Sequence, residues 1–294
     1  MQKIHGKNHD LGDGFMVRRM LPSRELRAIG PFVFLDHFGP TVLAPERPMD
    51  VRPHPHIGLA TVSYLWQGRI EHRDSLGSVQ LIEPGAVNWM TSGRGIVHSE
   101  RTAKNDRGQP MPMHGLQFWV ALPADHAEDA PSFIHVEAAD LPRLALPGAD
   151  VRVVAGTAFG HRSPAPVASP TCYLDIHLEP DAELPLPREH AQLAVYVIDG
   201  QLTLDGTPLD SGDMVVLDAD ETPRATRASH VVVFGGAPLD GPRLLWWNFV
   251  ARDDARLQQA REDWDADRLG HVEGDDERIP LPERRRPATP IAPN

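Results

Sequence analysis

The sequence predicts an all-β protein: two similar antiparallel β-barrels or sandwiches in tandem, followed by one short C-terminal helix. Three observations carry this. Glycine (24) and proline (29) are spread along all 294 residues, which is the punctuation of many short strands joined by turns. The chain also resembles itself, once in each half. Helical periodicity, by contrast, appears in a single place.

The internal repeat sets the organisation. TVSYLWQGRI (Thr61 to Ile70) aligns without a gap to LAVYVIDGQL (Leu193 to Leu202), and each stretch carries a tyrosine four residues before a turn glycine, Gly68 or Gly200. A second glycine occurs in each copy, Gly85 or Gly212, and leads into another apolar strand. Strand, glycine turn, strand is how a small antiparallel barrel is wound. Residues 1–125 are therefore read as the first unit, 126–149 as a linker rich in Pro, Ala and acids, and 150–250 as the second unit. Residues 251–294 complete the chain. There, RDDARLQQAREDWDADRLG (Arg252 to Gly270) places Leu257, Ala260, Trp264 and Leu269 on one apolar stripe, with Asp253 and Asp254 in the first turn and Gly270 as a stop. Beyond Gly270 the chain reads as an extended tail, disordered toward its end, in which ERRRP (Glu283 to Pro287) is a solvated charge run.

Composition excludes several classes of function. The formal net charge of −12 argues against direct binding to nucleic acid, which needs clustered Lys and Arg. No apolar stretch approaches the roughly 20 residues of a membrane helix, and the opening MQKIHGKNHD lacks the apolar core of a signal peptide. With one cysteine, Cys172, no intramolecular disulfide can form. The chain reads as cytoplasmic, and Cys172 as a small buried strand residue rather than a nucleophile.

Chemistry concentrates in the first unit. RPHPHIG holds His54 and His56 two residues apart, and VHSE repeats that spacing with His98 and Glu100. Side chains at i and i+2 of a strand share a face, roughly 6.5–7 Å apart, so each pair can converge on one ion. Pro55 suits an edge or bulged strand. Three imidazoles and one carboxylate, with no thiolate, suit one divalent ion: Fe(II), and also Mn, Co, Ni, Cu or Zn. Four protein ligands in an octahedron leave two positions open, as in a catalytic site. Ser99 points to the opposite face, and the Gly-x-Gly of SGRGIVH precedes no helix, so neither a serine nucleophile nor a nucleotide loop is read here. In the second copy the positions of His54 and His56 hold Leu186 and Arg188, and His190 stands alone. That unit is expected to lack metal ligands. The other histidines, His72, His114, His177 and His230 among them, are read as structural or surface residues.

These residues resemble the pirin family of bicupin proteins. The matching stretches are DGFMVRRMLPSRELRAIGPFVFLDHFGP, HPHIGLATVSYLWQGRIEHRDSLGS, EPGAVNWMTSGRGIVHSE and GLQFWVALP, in family order from Asp13 to Pro123, with a looser likeness through YVIDGQL and GDMVVL. A generic cupin places a carboxylate where this chain has Thr61 and a late histidine where it has Asn88; the pirin pattern replaces them with His98 and Glu100. The resemblance implies His54, His56, His98 and Glu100 as ligands and Fe(II) as the ion. It implies a quercetin 2,3-dioxygenase-type cleavage of a flavonol or similar enol by O2, with Glu100 both ligand and proton acceptor. It equally admits a redox-sensing, metal-dependent regulator that modulates a protein partner without turnover. Trp89, Met90, Gln117 and Trp119, on strands beside the ligand strands, are the expected lining of the substrate pocket.

Overall fold

The computed structural model describes residues 2–10, 15–282 and 287–293. Two β-units lie against each other, with every ladder antiparallel apart from one isolated parallel bridge between Ile57 and Phe249. In the first unit a seven-stranded sheet faces a four-stranded one. The larger sheet has Leu59–Gln67 and Met111–Ala121 near its centre, with Val87–Thr91 and Phe32–Leu43 outside them. The smaller sheet runs Asp50–His56, Ile96–Arg101, Ile70–Asp74, Val79–Ile82. The second unit wraps an eight-stranded and a three-stranded sheet around an apolar interior that includes Val153, Leu174, Val195, Leu202 and Val233. The repeated stretches fall on equivalent central strands, Leu59–Gln67 and Gln192–Asp199.

Period-two alternation gives the seven-stranded sheet two buried faces. One face, with Val62, Tyr64, Trp89 and Phe118, packs on Tyr173, Tyr196 and Phe234 of the second unit. Aromatic edges lock this inter-unit core: Phe118 meets Phe32, Tyr173 and Phe234 with ring centroids 4.9–5.0 Å apart. The other face looks into the first unit, and the metal-type residues are found there.

Four details of the structure differ from the reading of the sequence. The strand Lys3–His5, at the start of the first unit's span, pairs with Asp213–Leu217 in the second unit's sheet. The supposed linker holds two strands: Ser132–Val136 extends the first unit's sheet beside Val87–Thr91, and Arg143–Leu146 extends the second's. The helix spans Asp254–Asp265 and ends at Ala266, before Gly270; Asp253 is its N-cap, accepting from the Arg256 amide at 2.8 Å. The tail returns to the fold, because Thr289–Ile291 pairs with Arg243–Trp246 and Ile291 is fully buried. Residues 283–286, most of the ERRRP run, lie outside the described residues. No helix among those described is long and apolar enough to cross a membrane.

Candidate metal centre

The strands Asp50–His56 and Ile96–Arg101 lie side by side in the register that the two spacings require. His98 is directly opposite His54, and Ile96 opposite His56. A register shift between His98 and Glu100 then sets Glu100 opposite Val51, so the bulge absorbs Arg52 and Pro53. One ring nitrogen from each of His54, His56 and His98 lies within 4.8 Å of the other two. The three ring centroids are 4.4–5.1 Å apart.

Hydrogen bonds decide which nitrogen each ring presents. His54 Nδ1 is 2.9 Å from the Arg52 carbonyl, and His56 Nδ1 is 3.0 Å from the Asn248 carbonyl. A carbonyl can only accept, so both rings donate from Nδ1 and keep a lone pair on Nε2. For His98 the corresponding partner is another imidazole, with its Nδ1 3.3 Å from His72 Nδ1. His72 in turn meets Asp74 through Nε2 at 3.0 Å. Hydrogen bonds from His72 and Ser78 outweigh burial and hold the Asp74 carboxyl below its usual range, so Asp74 accepts and His72 donates from Nε2. With Nε2 as its donor, His72 offers Nδ1 as the acceptor for His98, which leaves His98 Nε2 unprotonated. That atom is buried and has no hydrogen-bond partner. Phe133 stacks on the His72 ring at 4.2 Å and fixes its plane.

Burial lowers the proton affinity of all three imidazoles. His54, His56 and His98 are 7, 1 and 1 % exposed, and desolvation pushes each below the ordinary histidine value. Neighbouring imidazoles push His56 and His98 further down. The rings are therefore neutral near pH 7, the state in which an imidazole binds a metal. Three unprotonated Nε2 atoms, one of them a buried atom without a partner, fit a borderline divalent ion. Each opposite nitrogen is already held by an outer partner, as metal-binding histidines usually are.

Glu100 is 5 % exposed and stands outside the 4.8 Å group. Its carboxylate accepts from Ser63 at 3.0 Å and from the Gln117 amide at 2.7 Å, both on the facing sheet. Of the expected pocket residues, Gln117 thus touches Glu100, and the Trp119 ring lies 5.1 Å from His56 while stacking on Phe34. Met90 is opposite Thr61, which is opposite Trp119, so it shares their inward face. Trp89 does not line this site: as the next residue on its strand it faces the other way and packs in the inter-unit core. Ser63, His72, Asp74 and Asn248 are site residues that sequence reasoning missed. A signal existed for one pair, since EHRD repeats the i,i+2 spacing at His72 and Asp74.

The second unit's interior is filled by apolar side chains, and Leu186 packs against them. Arg188 bonds instead to the carbonyls of Ala219 and Glu221. On the face that meets the first unit, Asp175, His177 and His230 form a second close group of donors. His37 and His114 also pair, Nε2 to Nε2 at 3.0 Å. A cavity of about 250 Å³ lies beside Asp175 and His177, and one of about 450 Å³ lies between Arg94 and the helix; neither touches the three-histidine group.

Comparison with known proteins agrees with this architecture. The Pirin family model matches residues 14–120, and the model of the Pirin C-terminal cupin domain matches residues 173–270. A pirin-like protein of Caulobacter vibrioides is 46% identical over 283 residues, covering 94% of this chain and 97% of the relative. Pirin of Homo sapiens is 31% identical, with 85% and 86% covered. A crystal structure of quercetin 2,3-dioxygenase from Acinetobacter baumannii superposes with a TM-score of 0.87 at 36% identity, covering 97% of each chain.

Proposed function

The chain belongs to the pirin family of bicupins, and from that premise we propose that it is a metal-dependent dioxygenase of the quercetin 2,3-dioxygenase type. It acts on a flavonol or similar enol with O2, in the cytoplasm, using His54, His56, His98 and Glu100 as ligands to one divalent ion, Fe(II). The observation that carries this reading is the buried trio of neutral imidazoles, each held at Nδ1 with Nε2 left free. The name of the structurally similar Acinetobacter protein supports the reaction class.

When bound, the ion supplies Lewis-acid stabilisation of an enolate and the one-electron chemistry that dioxygen requires. The rest falls to the chain. Glu100, oriented by Ser63 and Gln117, takes the proton of the substrate's acidic hydroxyl. Trp119, stacked on Phe34, gives a flat apolar wall beside His56 for a planar substrate. The near-complete burial of the four ligands excludes water, which strengthens electrostatic interactions inside the site.

That same burial favours a second reading. The ligands are at most 7 % exposed, which suits a metal that senses oxidation state and modulates a protein partner without turnover. One experiment separates the two: carbon monoxide release from quercetin by Fe(II)-loaded protein, beside His56→Ala. Release by the wild type alone is the expected result. An active, metal-loaded His56→Ala would overturn the ligand assignment, and an iron-loaded wild type that releases none would favour sensing.

A further inference from the structure

The face of the second unit that meets the first carries three donors that the three-histidine centre does not use. Asp175 and His177 stand two residues apart on Thr171–Leu178, and His230 is directly opposite His177 on Ser229–Gly236. The spacing turns Asp175 and His177 to one side of the sheet. One donor atom from each of the three lies within 4.8 Å of the others. The plan is that of the first unit's trio, with two donors from one strand and a third from its neighbour, but on the outside of the barrel.

Asp175 Oδ1 accepts from His230 Nε2 at 2.6 Å and from Trp66 Nε1 at 3.2 Å, while Oδ2 accepts from the Tyr64 hydroxyl at 2.8 Å. Adjacent ligands held at about 2.0–2.1 Å from a transition ion are roughly 3 Å from each other. The shared proton already keeps Asp175 and His230 near that spacing, so an ion can replace it while the Tyr64 bond stays. His177 is exposed and its ring stacks on His230 at 4.2 Å; being exposed, it is free to turn a nitrogen toward the same point. Access is open, because Asp175 and His177 line the 250 Å³ cavity with Tyr64, Trp66 and Arg152.

We propose that Asp175, His177 and His230 form a second, solvent-accessible site for a divalent transition ion of the Zn, Ni, Cu or Co class, independent of the three-histidine centre. Two imidazoles and a carboxylate, with no thiolate, are the ligands such ions take. Trp66 reports on the site, since its ring lies 4.7 Å from His230.

The test uses metal-stripped, full-length protein. Bound Ni(II) is counted by mass spectrometry after equilibrium dialysis, and Cu(II) quenching of tryptophan fluorescence is followed in parallel. The wild type is expected to hold one more equivalent than His177→Ala, whatever the first centre holds. The quenching that Trp66→Phe removes is expected to be absent from His177→Ala as well. His177 is exposed, and an unchanged circular dichroism melt would show that its replacement leaves the fold intact. Equal stoichiometry in wild type and His177→Ala, or survival in His177→Ala of the quenching that Trp66→Phe removes, overturns the proposal.

Discussion

Replacing Asp74 by asparagine exchanges one oxygen for an NH2 group and leaves the side chain the same shape. Asp74 Oδ1 accepts from the amides of Leu76 and Ser78 at 2.9 and 3.0 Å, while Oδ2 accepts from His72. The two turn amides need an acceptor, so the asparagine carbonyl stays on them and its NH2 faces His72 Nε2. His72 must then accept at Nε2 and donate from Nδ1. His98 Nδ1 becomes the acceptor, its proton moves to Nε2, and the lone pair aimed at the metal is lost. Outer partners of ligand histidines are typically worth 10–100-fold in metal affinity, about 1.4–2.7 kcal/mol. Since this change removes a ligand's lone pair, the upper end is expected. Competition calorimetry measures the affinity. Long-range proton–nitrogen NMR of the metal-free protein reads the tautomers directly: His98 protonated at Nδ1 in the wild type and at Nε2 in Asp74→Asn. An asparagine variant that binds metal as tightly as the wild type, with His98 still protonated at Nδ1, would refute the reasoning.

Two further outcomes concern stability. His37 is 7 % exposed, bonded to the Tyr196 hydroxyl at 2.7 Å, and pushed down to about 3 chiefly by burial, whereas an unfolded histidine titrates near 6.5. Between those values the unfolded chain binds the extra proton, so the stability His37 contributes is complete above about pH 6.5 and declines as pH falls toward 3. Urea unfolding of metal-free protein at about pH 5 and 7 should show that decline, and His37→Gln should reduce the difference between the two by about 2 kcal/mol; an unchanged difference would count against it. Phe118→Ala, in the inter-unit core with three aromatic neighbours, should cost about 3–5 kcal/mol by chemical denaturation, and a loss under about 1 kcal/mol would mean that the two units do not depend on this packing.

The fold and the heart of the site were legible because both rest on local periodicity. Strand–glycine–strand spacing revealed the duplicated barrel, and two i,i+2 pairs revealed which side chains share a face. The misses share one physical origin. Period two says that Trp89 and Met90 point opposite ways, but only packing against the second unit says which way is inward. The C-terminal tail looks disordered by composition, yet Ile291 finds an apolar cleft and a strand partner in Arg243–Trp246. The acceptor for His56 is a backbone carbonyl, to which side-chain identity is blind. His72 and Asp74 are the instructive case: they carry the same spacing signal, but their strand is next to the ligand strand rather than part of it, and they act one bond further out.

Asn248 holds the ring of His56 from 192 residues further along the chain, which gives the centre a place in time as well as in space. On the ribosome, the strands bearing His54, His56 and His98 emerge while the segment that orients His56 is still untranslated. A nascent first unit can gather three imidazoles, but His56 then lacks its carbonyl and its tautomer is free. The Lys3–His5 strand likewise waits for Asp213–Leu217. The orientation of His56 is therefore set only after Asn248 has been made, when most of both units is already in place.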